Sequence, residues 1–198
     1  MPVQIIAEIG INHNADLDLA IAMIREAAKS GADVIKFQTA VPELVQTKNA
    51  PMAEYQVKNT GKKVSQLEMS RNFHFPLEVF SFLKSEVESY NKIFMSTAFD
   101  LKSLDFLTGL GEEYFKIPSG ELTNLPYLRE IGSRAKKVLM STGMASWNEV
   151  QDALKVLLDC GLHKEQITIL QCNTEYPTPF EDVNLNAMLS IREEFNVD

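Results

Sequence analysis

The sequence contains few of the features that would place it outside the ordinary globular class. Only two cysteines, Cys160 and Cys172, occur among 198 residues, and they form no CxxC pair. Two isolated cysteines predict reduced thiols in a cytoplasmic protein, not a disulfide framework. The N-terminal residues include neither a basic segment nor a long apolar run. They therefore predict no signal peptide and no membrane span.

Positive charge and histidine are also scarce. Lys and Arg total 19 against 27 for Asp and Glu, which gives a formal net charge of −8. An acidic chain without a basic block is a poor candidate for binding nucleic acid or an anionic membrane. Any anionic substrate must then be held by a few well-placed cations. The three histidines, His13, His74 and His163, are too scattered to predict a metal site.

Six short apolar runs alternate with amphipathic helical patterns. They are nearly continuous in apolar character, which is typical of parallel strands that are covered on both faces. The predicted strands are residues 3–9, 33–38, 93–98, 114–117, 137–141 and 167–172. The order strand, turn, helix predicts an α/β fold with a parallel sheet.

Capping residues mark where the intervening helices begin and end. Side chains that accept hydrogen bonds from free backbone N–H groups predict helix starts, and glycines predict the ends. The predicted starts are at Asp16, Asp100, Asn124 (followed by Pro126) and Ser146 (with Glu149 as a capping box), and the stops are at Gly31, Gly111 and Gly161. Further helices are predicted near residues 66–71, 77–90 and 185–195, and a long insertion at about residues 40–75 is expected to help wall a pocket.

Six strand–helix units leave two architectures to choose between. A doubly wound open sheet would accommodate six strands, but no glycine-rich phosphate loop follows the first strand. A (β/α)8 TIM barrel needs eight units and about 250 residues. We therefore predict a TIM barrel truncated to about six β/α units, with residues 1–198 forming one incomplete domain.

Polar side chains stand where each predicted strand ends. In a parallel barrel, the reactive groups cluster at this end of the strands. The candidates are Glu8, Lys36, Gln38, Ser96, Thr97, Lys116, Ser119, Glu121, Ser141, Thr142, Asn173, Thr174 and Tyr176. A purely structural core would require far fewer polar groups, so this pattern predicts a binding site.

Two lysines are the most informative of these candidates. Lys36 and Lys116 both lie inside apolar strand segments, where an unpaired ammonium is costly. Each must pair with a neighbouring carboxylate, extend to solvent, or bind an anionic ligand. A small phosphorylated acid such as phosphoenolpyruvate would satisfy both lysines, with Thr97, Ser119 and Ser141 donating further hydrogen bonds.

Two glutamates and one histidine have less certain roles. Glu8 and Glu121 could perform acid–base chemistry or hold sugar hydroxyls, but each could equally form a salt bridge with one of the lysines. His13 could assist in the site or could order its own loop. His74 and His163 are predicted to be surface residues.

Five segments together resemble a known family. They are IIAEIGINHN (5–14), VIKFQT (34–39), FKIPSGE (115–121), MSTGM (140–144) and QCNTEYPTP (171–179). In this order and at this spacing they are similar to the bacterial sialic acid and legionaminic acid synthases. The resemblance runs through almost the whole chain.

The resemblance implies a reaction and an assembly. It implies condensation of phosphoenolpyruvate with an N-acetylmannosamine-like aldehyde, in a (β/α)8 barrel followed by a small antifreeze-like domain, in a domain-swapped homodimer. It also implies a divalent metal, usually manganese, whose histidine ligands lie beyond Asp198. Residues 1–198 alone are therefore expected to bind phosphoenolpyruvate weakly and not to catalyse condensation.

The resemblance also implies roles for individual residues. Those that match phosphoenolpyruvate-binding positions are Lys36, Thr97, Lys116, Ser119, Ser141 and Thr174. Glu8 and Glu121 match catalytic positions at the reacting centre, and Gln38 and Tyr176 match sugar-binding positions.

Two other functions remain open at this point. A Schiff-base aldolase would use Lys36 or Lys116 as a nucleophile in the same barrel. A non-catalytic barrel module would bind a ligand or a partner without turnover. Borohydride trapping with pyruvate separates the aldolase from the metal-dependent route, because only an imine is reduced to a stable adduct.

Overall fold

The computed structural model describes residues 3–61 and 64–197. The chain divides into two compact units, the first from Met1 to Leu110 and the second from Gly111 to Asp198. Each unit contains one three-stranded parallel sheet with the strands in chain order. The prediction of a parallel α/β fold is therefore confirmed, whereas closure into a (β/α)8 barrel remains a prediction.

The strands lie close to where the apolar runs predicted them. Those of the first unit are β1 (Ile6–Gly10), β2 (Val34–Thr39) and β3 (Ile93–Ala98), and those of the second are β4 (Tyr114–Ile117), β5 (Lys137–Ser141) and β6 (Ile167–Leu170). The main error is at β1, which begins at Ile6 although the apolar run begins at Val3. Val3 and Ile5 are 83% and 54% exposed, so these apolar residues lie outside the core.

Nine α-helices occur among the described residues. They are α1 (Leu17–Lys29), α2 (Pro42–Val45), α3 (Glu54–Thr60), α4 (Gln66–Arg71), α5 (Val79–Ser89), α6 (Leu101–Gly109), α7 (Leu125–Arg134), α8 (Trp147–Asp159) and α9 (Ala187–Phe195). The insertion contains α2, α3 and α4, of which only α4 was predicted. None of the helices in the described ranges is long and apolar enough to cross a membrane.

The predicted caps are confirmed at each of the four helix starts. Asp16, Asp100, Asn124 and Ser146 each accept a hydrogen bond from a backbone N–H of the first turn. Ser146 and Glu149 form the reciprocal capping box. The predicted stops also hold, because Gly31, Gly111 and Gly161 all have positive φ angles.

Each unit has its own apolar core. In the first unit Phe37 of β2 lies against Phe80 of α5 and Phe94 of β3, with ring centroids 6.4 and 5.9 Å away. In the second unit the buried faces of β4 and β5 include Phe115 and Met140. Strands buried on both faces hold their end residues rigidly, which positions the polar side chains at those ends.

Two side-chain expectations are settled within the units. Cys160 and Cys172 are free thiols, as predicted. His163 is exposed, but His74 is partly buried and its Nδ1 lies 2.9 Å from the Ser70 carbonyl oxygen. The surface prediction for His74 is therefore wrong, because the ring lies against Ser70 of α4 instead of extending into solvent.

Candidate functional site

The first unit brings three of the predicted site residues together. In the β1–β2 register Glu8 lies opposite Lys36. The Lys36 ammonium forms an ion pair with the Glu8 carboxylate and donates to Thr97 Oγ1 at 3.2 Å. Of the three alternatives for Lys36, the structure shows pairing with a neighbouring carboxylate, that of Glu8. The pairing of β2 with β3 brings the Thr97 hydroxyl to the same ammonium.

The two members of this ion pair differ in their access to solvent. The Lys36 side chain is 11% exposed, whereas the Glu8 side chain is 40% exposed. An anionic ligand that arrives from solvent would therefore meet the carboxylate first. Glu8 and Thr97 hold the Lys36 ammonium at the end of β2, and its three N–H donors allow an anionic ligand to share it with them.

The backbone around Glu8 is unusual. The β1–β2 register shifts between Glu8 and Gly10, and Gly10 has φ +58. A Cβ built at Gly10 would lie 3.0 Å from Glu8 Oε1 and 3.6 Å from Gln38 Nε2. The absence of a side chain at Gly10 therefore leaves room for the Glu8 carboxylate, with the predicted sugar-binding residue Gln38 on the same side.

Buried hydroxyls extend the polar end of this sheet. Thr39 Oγ1 and Ser96 Oγ are 2.6 Å apart and fully buried. Thr97 is also buried, so its contact with Lys36 is shielded from water. A hydrogen bond in such a low-dielectric setting holds its donor more firmly than one at the surface.

The second unit contains a cavity at the ends of its strands. It has a volume of about 220 Å³ and is lined by Ser119, Gly120, Leu122, Thr123, Gly143, Met144, Ala145, Glu149 and Thr174. The loops after β4, β5 and β6 all contribute to it. The predicted residues Ser119 and Thr174 lie together in its wall.

Gly143 determines the shape of this cavity. Its N–H donates to Ser119 Oγ at 2.9 Å. A Cβ at this position would lie 2.6 Å from Thr174 Cγ2 and 2.8 Å from Ser119 Oγ. Only glycine fits between these two side chains. The glycine of the MSTGM segment therefore contributes to the cavity by leaving space for Ser119 and Thr174.

The other predicted residues of this unit do not line the cavity. Glu121 Oε2 accepts from Asn124 Nδ2 at 2.6 Å, which ties this carboxylate to the start of α7. Ser141 is buried and its Oγ accepts from the Cys172 thiol at 3.4 Å. Lys116 is half-buried on β4, and Tyr176 is 67% exposed.

Two site-forming residues escaped the sequence prediction. Gly143 lies in a quoted motif, but nothing in the sequence shows which side chains surround it. Asp100 was predicted only as a helix cap, yet it is buried and accepts from Val41 N and Ser103 Oγ at 2.8 and 2.7 Å. It therefore anchors the start of the insertion next to the end of β3.

The described residues contain no ligand set for a metal ion. Within residues 3–61 and 64–197, no group of three or more His, Cys, Asp or Glu side chains could hold a metal ion. His13 and His74 are close enough to influence each other, but His13 Nδ1 accepts from the Ala15 N–H and His74 Nδ1 lies 2.9 Å from the Ser70 carbonyl oxygen. The described residues therefore do not fit a manganese site.

Comparisons with known proteins agree on one family. The model of the NeuB family matches residues 23–198. A protein named N,N'-diacetyllegionaminic acid synthase from Campylobacter jejuni is 47% identical over 194 residues, which is 98% of this chain and 58% of that protein. A protein of the same name from Legionella pneumophila is 40% identical over 196 residues, or 98% of this chain and 55% of that protein.

A solved structure supports the same assignment. The crystal structure of N-acetylneuraminic acid (sialic acid) synthetase from Leptospira borgpetersenii, in complex with citrate, has a TM-score of 0.82 and 30% identity, and the match covers 100% of this chain and 63% of that chain. This chain spans somewhat more than half the length of the curated relatives it matches. With this fold, and with a family model that matches 176 of its residues, the chain belongs to the NeuB family.

Proposed function

We propose that this chain is the phosphoenolpyruvate-binding part of a nonulosonic acid synthase. The observation that carries the proposal is the position of Lys36, a largely buried ammonium at the end of β2 that Glu8 and Thr97 hold in place. The resemblance implies phosphoenolpyruvate-binding residues in both compact units: Lys36 and Thr97 in the first, and Lys116, Ser119, Ser141 and Thr174 in the second. The two sets are therefore tested separately.

The proposed reaction forms one C–C bond and breaks one C–O bond. C3 of phosphoenolpyruvate attacks the aldehyde carbon of the open-chain sugar, and the aldehyde oxygen takes up a proton. Water adds at C2, and inorganic phosphate leaves by C–O cleavage, which gives a 2-keto acid. Most of the rate acceleration available to this chain comes from orienting the anion and neutralising its charge.

Named residues have distinct tasks in this scheme. Lys36 and Lys116 neutralise the phosphorylated acid, and Thr97, Ser119, Ser141 and Thr174 donate or accept further hydrogen bonds. Glu8 and Glu121 exchange protons with the aldehyde oxygen and the attacking water. Gln38 and Tyr176 contact the sugar, and Tyr176 has the solvent exposure that a sugar-binding side chain requires.

The acceptor that we propose is a hexose with two acetamido groups. The two relatives named N,N'-diacetyllegionaminic acid synthase are 47% and 40% identical to this chain. Phosphate release by the complete protein with a 2,4-diacetamido-2,4,6-trideoxyhexose, compared with N-acetylmannosamine, tests this choice. Faster turnover with N-acetylmannosamine would contradict it.

The remaining properties implied by the resemblance are part of the same proposal. They are completion of a (β/α)8 barrel by residues outside this chain, a domain-swapped homodimer, manganese bound outside the described residues, and a cytoplasmic location. When bound, the metal would act as a Lewis acid on the aldehyde. Within the described residues there is no ligand set for it.

Calorimetric titration of phosphoenolpyruvate into the chain tests the anion site directly. We expect Lys36→Ala and Lys116→Ala each to weaken binding at least about tenfold, which corresponds to about 1.4 kcal/mol. Lys29→Ala is the matched control, because Lys29 is exposed and pairs with Glu26 on its own helix. Equal binding by all three variants would refute the proposed site.

A Schiff-base aldolase is less well supported by the geometry. The Lys36 ammonium is engaged by Glu8 and Thr97, and an ammonium has no lone pair with which to attack a carbonyl. Borohydride trapping with pyruvate decides between the two reactions. We expect no adduct at Lys36, and a stable adduct there would favour the aldolase.

A further inference from the structure

The turn between β1 and α1 is organised by a buried histidine that the proposed reaction does not use. His13 is fully buried, and its Nδ1 accepts from the Ala15 N–H at 3.1 Å. Its carbonyl oxygen accepts from the Asp16 N–H at 2.8 Å. Asn14 and Ala15 between them have φ angles of 51 and 55, a conformation that costs free energy in residues other than glycine and must be held by its surroundings.

Aromatic rings fix the imidazole on its faces. Phe75 stacks on it with centroids 4.3 Å apart and an interplanar angle of 14°, and Phe37 of β2 lies 6.1 Å away. Phe75 in turn packs edge-on against Phe80 of α5. The ring is thus clamped between the sheet and the end of the insertion.

One nitrogen of this ring has no hydrogen bond. Because Nδ1 accepts a hydrogen bond, the proton of the neutral ring is on Nε2, and Nε2 is buried without a hydrogen-bond partner among the described residues. A buried donor left in this way is costly. An apolar side chain of similar size would avoid that cost but would lose the bond to Ala15.

The turn is connected to the ion pair through Gly10. In the β1–β2 register Gly10 lies opposite Phe37, as Glu8 lies opposite Lys36, and the Phe37 ring is 6.1 Å from the His13 ring. Gly10 also has no side chain, and a Cβ there would lie 3.0 Å from Glu8 Oε1. A shift of the turn would therefore disturb the strand pairing that sets Glu8 opposite Lys36.

We propose that His13 is a positioning residue for the Glu8–Lys36 pair. It holds the turn after β1 and, through Gly10, keeps the Glu8 carboxylate against the Lys36 ammonium. Its effect on phosphoenolpyruvate binding rests on the function proposed above, whereas its effect on Glu8 does not. The charged and titratable groups near the ring are His74, on the segment after α4, and the Glu8–Lys36 pair beyond Gly10.

Two substitutions separate the parts of this role. His13→Phe keeps an aromatic ring for Phe75 to stack on but removes the acceptor for the Ala15 N–H. His13→Asn keeps an acceptor near the position of Nδ1 but removes the ring. We expect His13→Phe to change the ¹³C chemical shift of the Glu8 carboxyl carbon at neutral pH and to weaken phosphoenolpyruvate binding about tenfold. We expect His13→Asn to restore at least half of the loss in binding free energy.

The outcomes distinguish the two proposals. If the ¹³C chemical shift of the Glu8 carboxyl changes in His13→Phe while the wild type binds no phosphoenolpyruvate, the positioning role stands and the proposed function fails. If the folded His13→Phe variant shows an unchanged Glu8 carboxyl shift, the positioning role is wrong. Phe75→Leu keeps the histidine and removes its stacking partner, so it decides the question by the same Glu8 readout should His13→Phe not fold.

Discussion

Gly143 and Gly120 both line the cavity of the second unit, but the space around them differs. A Cβ at Gly143 would lie 2.6 Å from Thr174 Cγ2 and 2.8 Å from Ser119 Oγ, whereas a Cβ at Gly120 would meet nothing within 4 Å. The same substitution at the two positions therefore separates steric damage from the general effect of replacing glycine.

We expect Gly143→Ala to destabilise the protein by about 1–3 kcal/mol because Ser119 and Thr174 must move apart. Gly120→Ala should stay within about 0.5 kcal/mol of the wild type. Urea unfolding measures both, and calorimetry with phosphoenolpyruvate shows whether the displaced Ser119 also weakens binding. Equal stability of the two variants would contradict the geometry of this cavity.

The buried histidines of the first unit predict a dependence of stability on pH. Burial and the nearby His74 lower the pKa of His13 to about 4, and burial also lowers the pKa of His74. An unfolded chain takes up protons on both rings below about pH 6.5, while the folded chain does not. The stability contributed by these neutral rings is thus fully present above pH 6.5. As the pH falls from there towards 4, the free energy of unfolding decreases.

We expect His13 to contribute a loss of roughly 1–2 kcal/mol between pH 7 and pH 5, measured by urea unfolding at each pH. His13→Phe should flatten this part of the curve, because it removes the group that titrates. Glu26, Glu43 and Glu149 also have lowered pKa values, so the comparison is confined to pH values above 5. An identical slope in His13→Phe would show that the ring is not protected from protonation.

At the scale of the element, two aspartates perform the same capping function in different surroundings. Asp16 caps α1 from an exposed position with one bond to the Leu19 N–H. Asp100 caps α6 from a buried position and also accepts from the Val41 N–H and the Ser103 hydroxyl. The sequence predicts both caps but does not distinguish them.

We expect Asp16→Ala to lower the free energy of unfolding by about 1 kcal/mol, which is the usual cost of a lost cap. Asp100→Ala should cost about 2–4 kcal/mol, because it also leaves the part-buried Val41 N–H without its acceptor. Chemical denaturation of the two variants side by side measures the difference. A cost for Asp100→Ala no larger than that for Asp16→Ala would mean that the insertion is not anchored there.

The elements themselves were largely predictable from the sequence. Continuous apolar runs predict β2 to β6, and capping residues with an apolar stripe predict helices such as α8, because residue pattern and local propensity are properties of each segment. The insertion was not predictable, since α2 and α3 are short and depend on contacts made elsewhere. His74 was misjudged because the contact of its ring with Ser70 depends on how the chain turns after α4, which the residue pattern does not state.

At the scale of the whole molecule, the segment from Phe180 to Leu189 exposes several large apolar side chains to solvent. Phe180 is 95% exposed, and Leu185 and Leu189 are 63% and 64% exposed. They lie within ten residues of one another in the second unit, together with the exposed Val183 and Met188. Apolar surface of this kind favours association with other apolar surfaces.

We expect the chain to self-associate as its concentration rises and the triple variant Phe180→Ser, Leu185→Ser, Leu189→Ser to do so much less. Sedimentation velocity over a range of concentrations measures this difference. Leu44→Ser is the control, because Leu44 is also an exposed leucine but lies in the other unit. A concentration-independent sedimentation coefficient for the wild type would contradict the prediction.

The sequence by itself determined the class of fold, the family resemblance and most of the residues worth testing. These depend on local pattern and on residue identity, which the sequence states directly. The tertiary structure alone decided which of those residues meet. Register between strands sets Glu8 against Lys36 and Thr97, and the approach of three loops sets Gly143 between Ser119 and Thr174. Such contacts join residues that are distant in the chain, and distances of that kind are fixed only by packing.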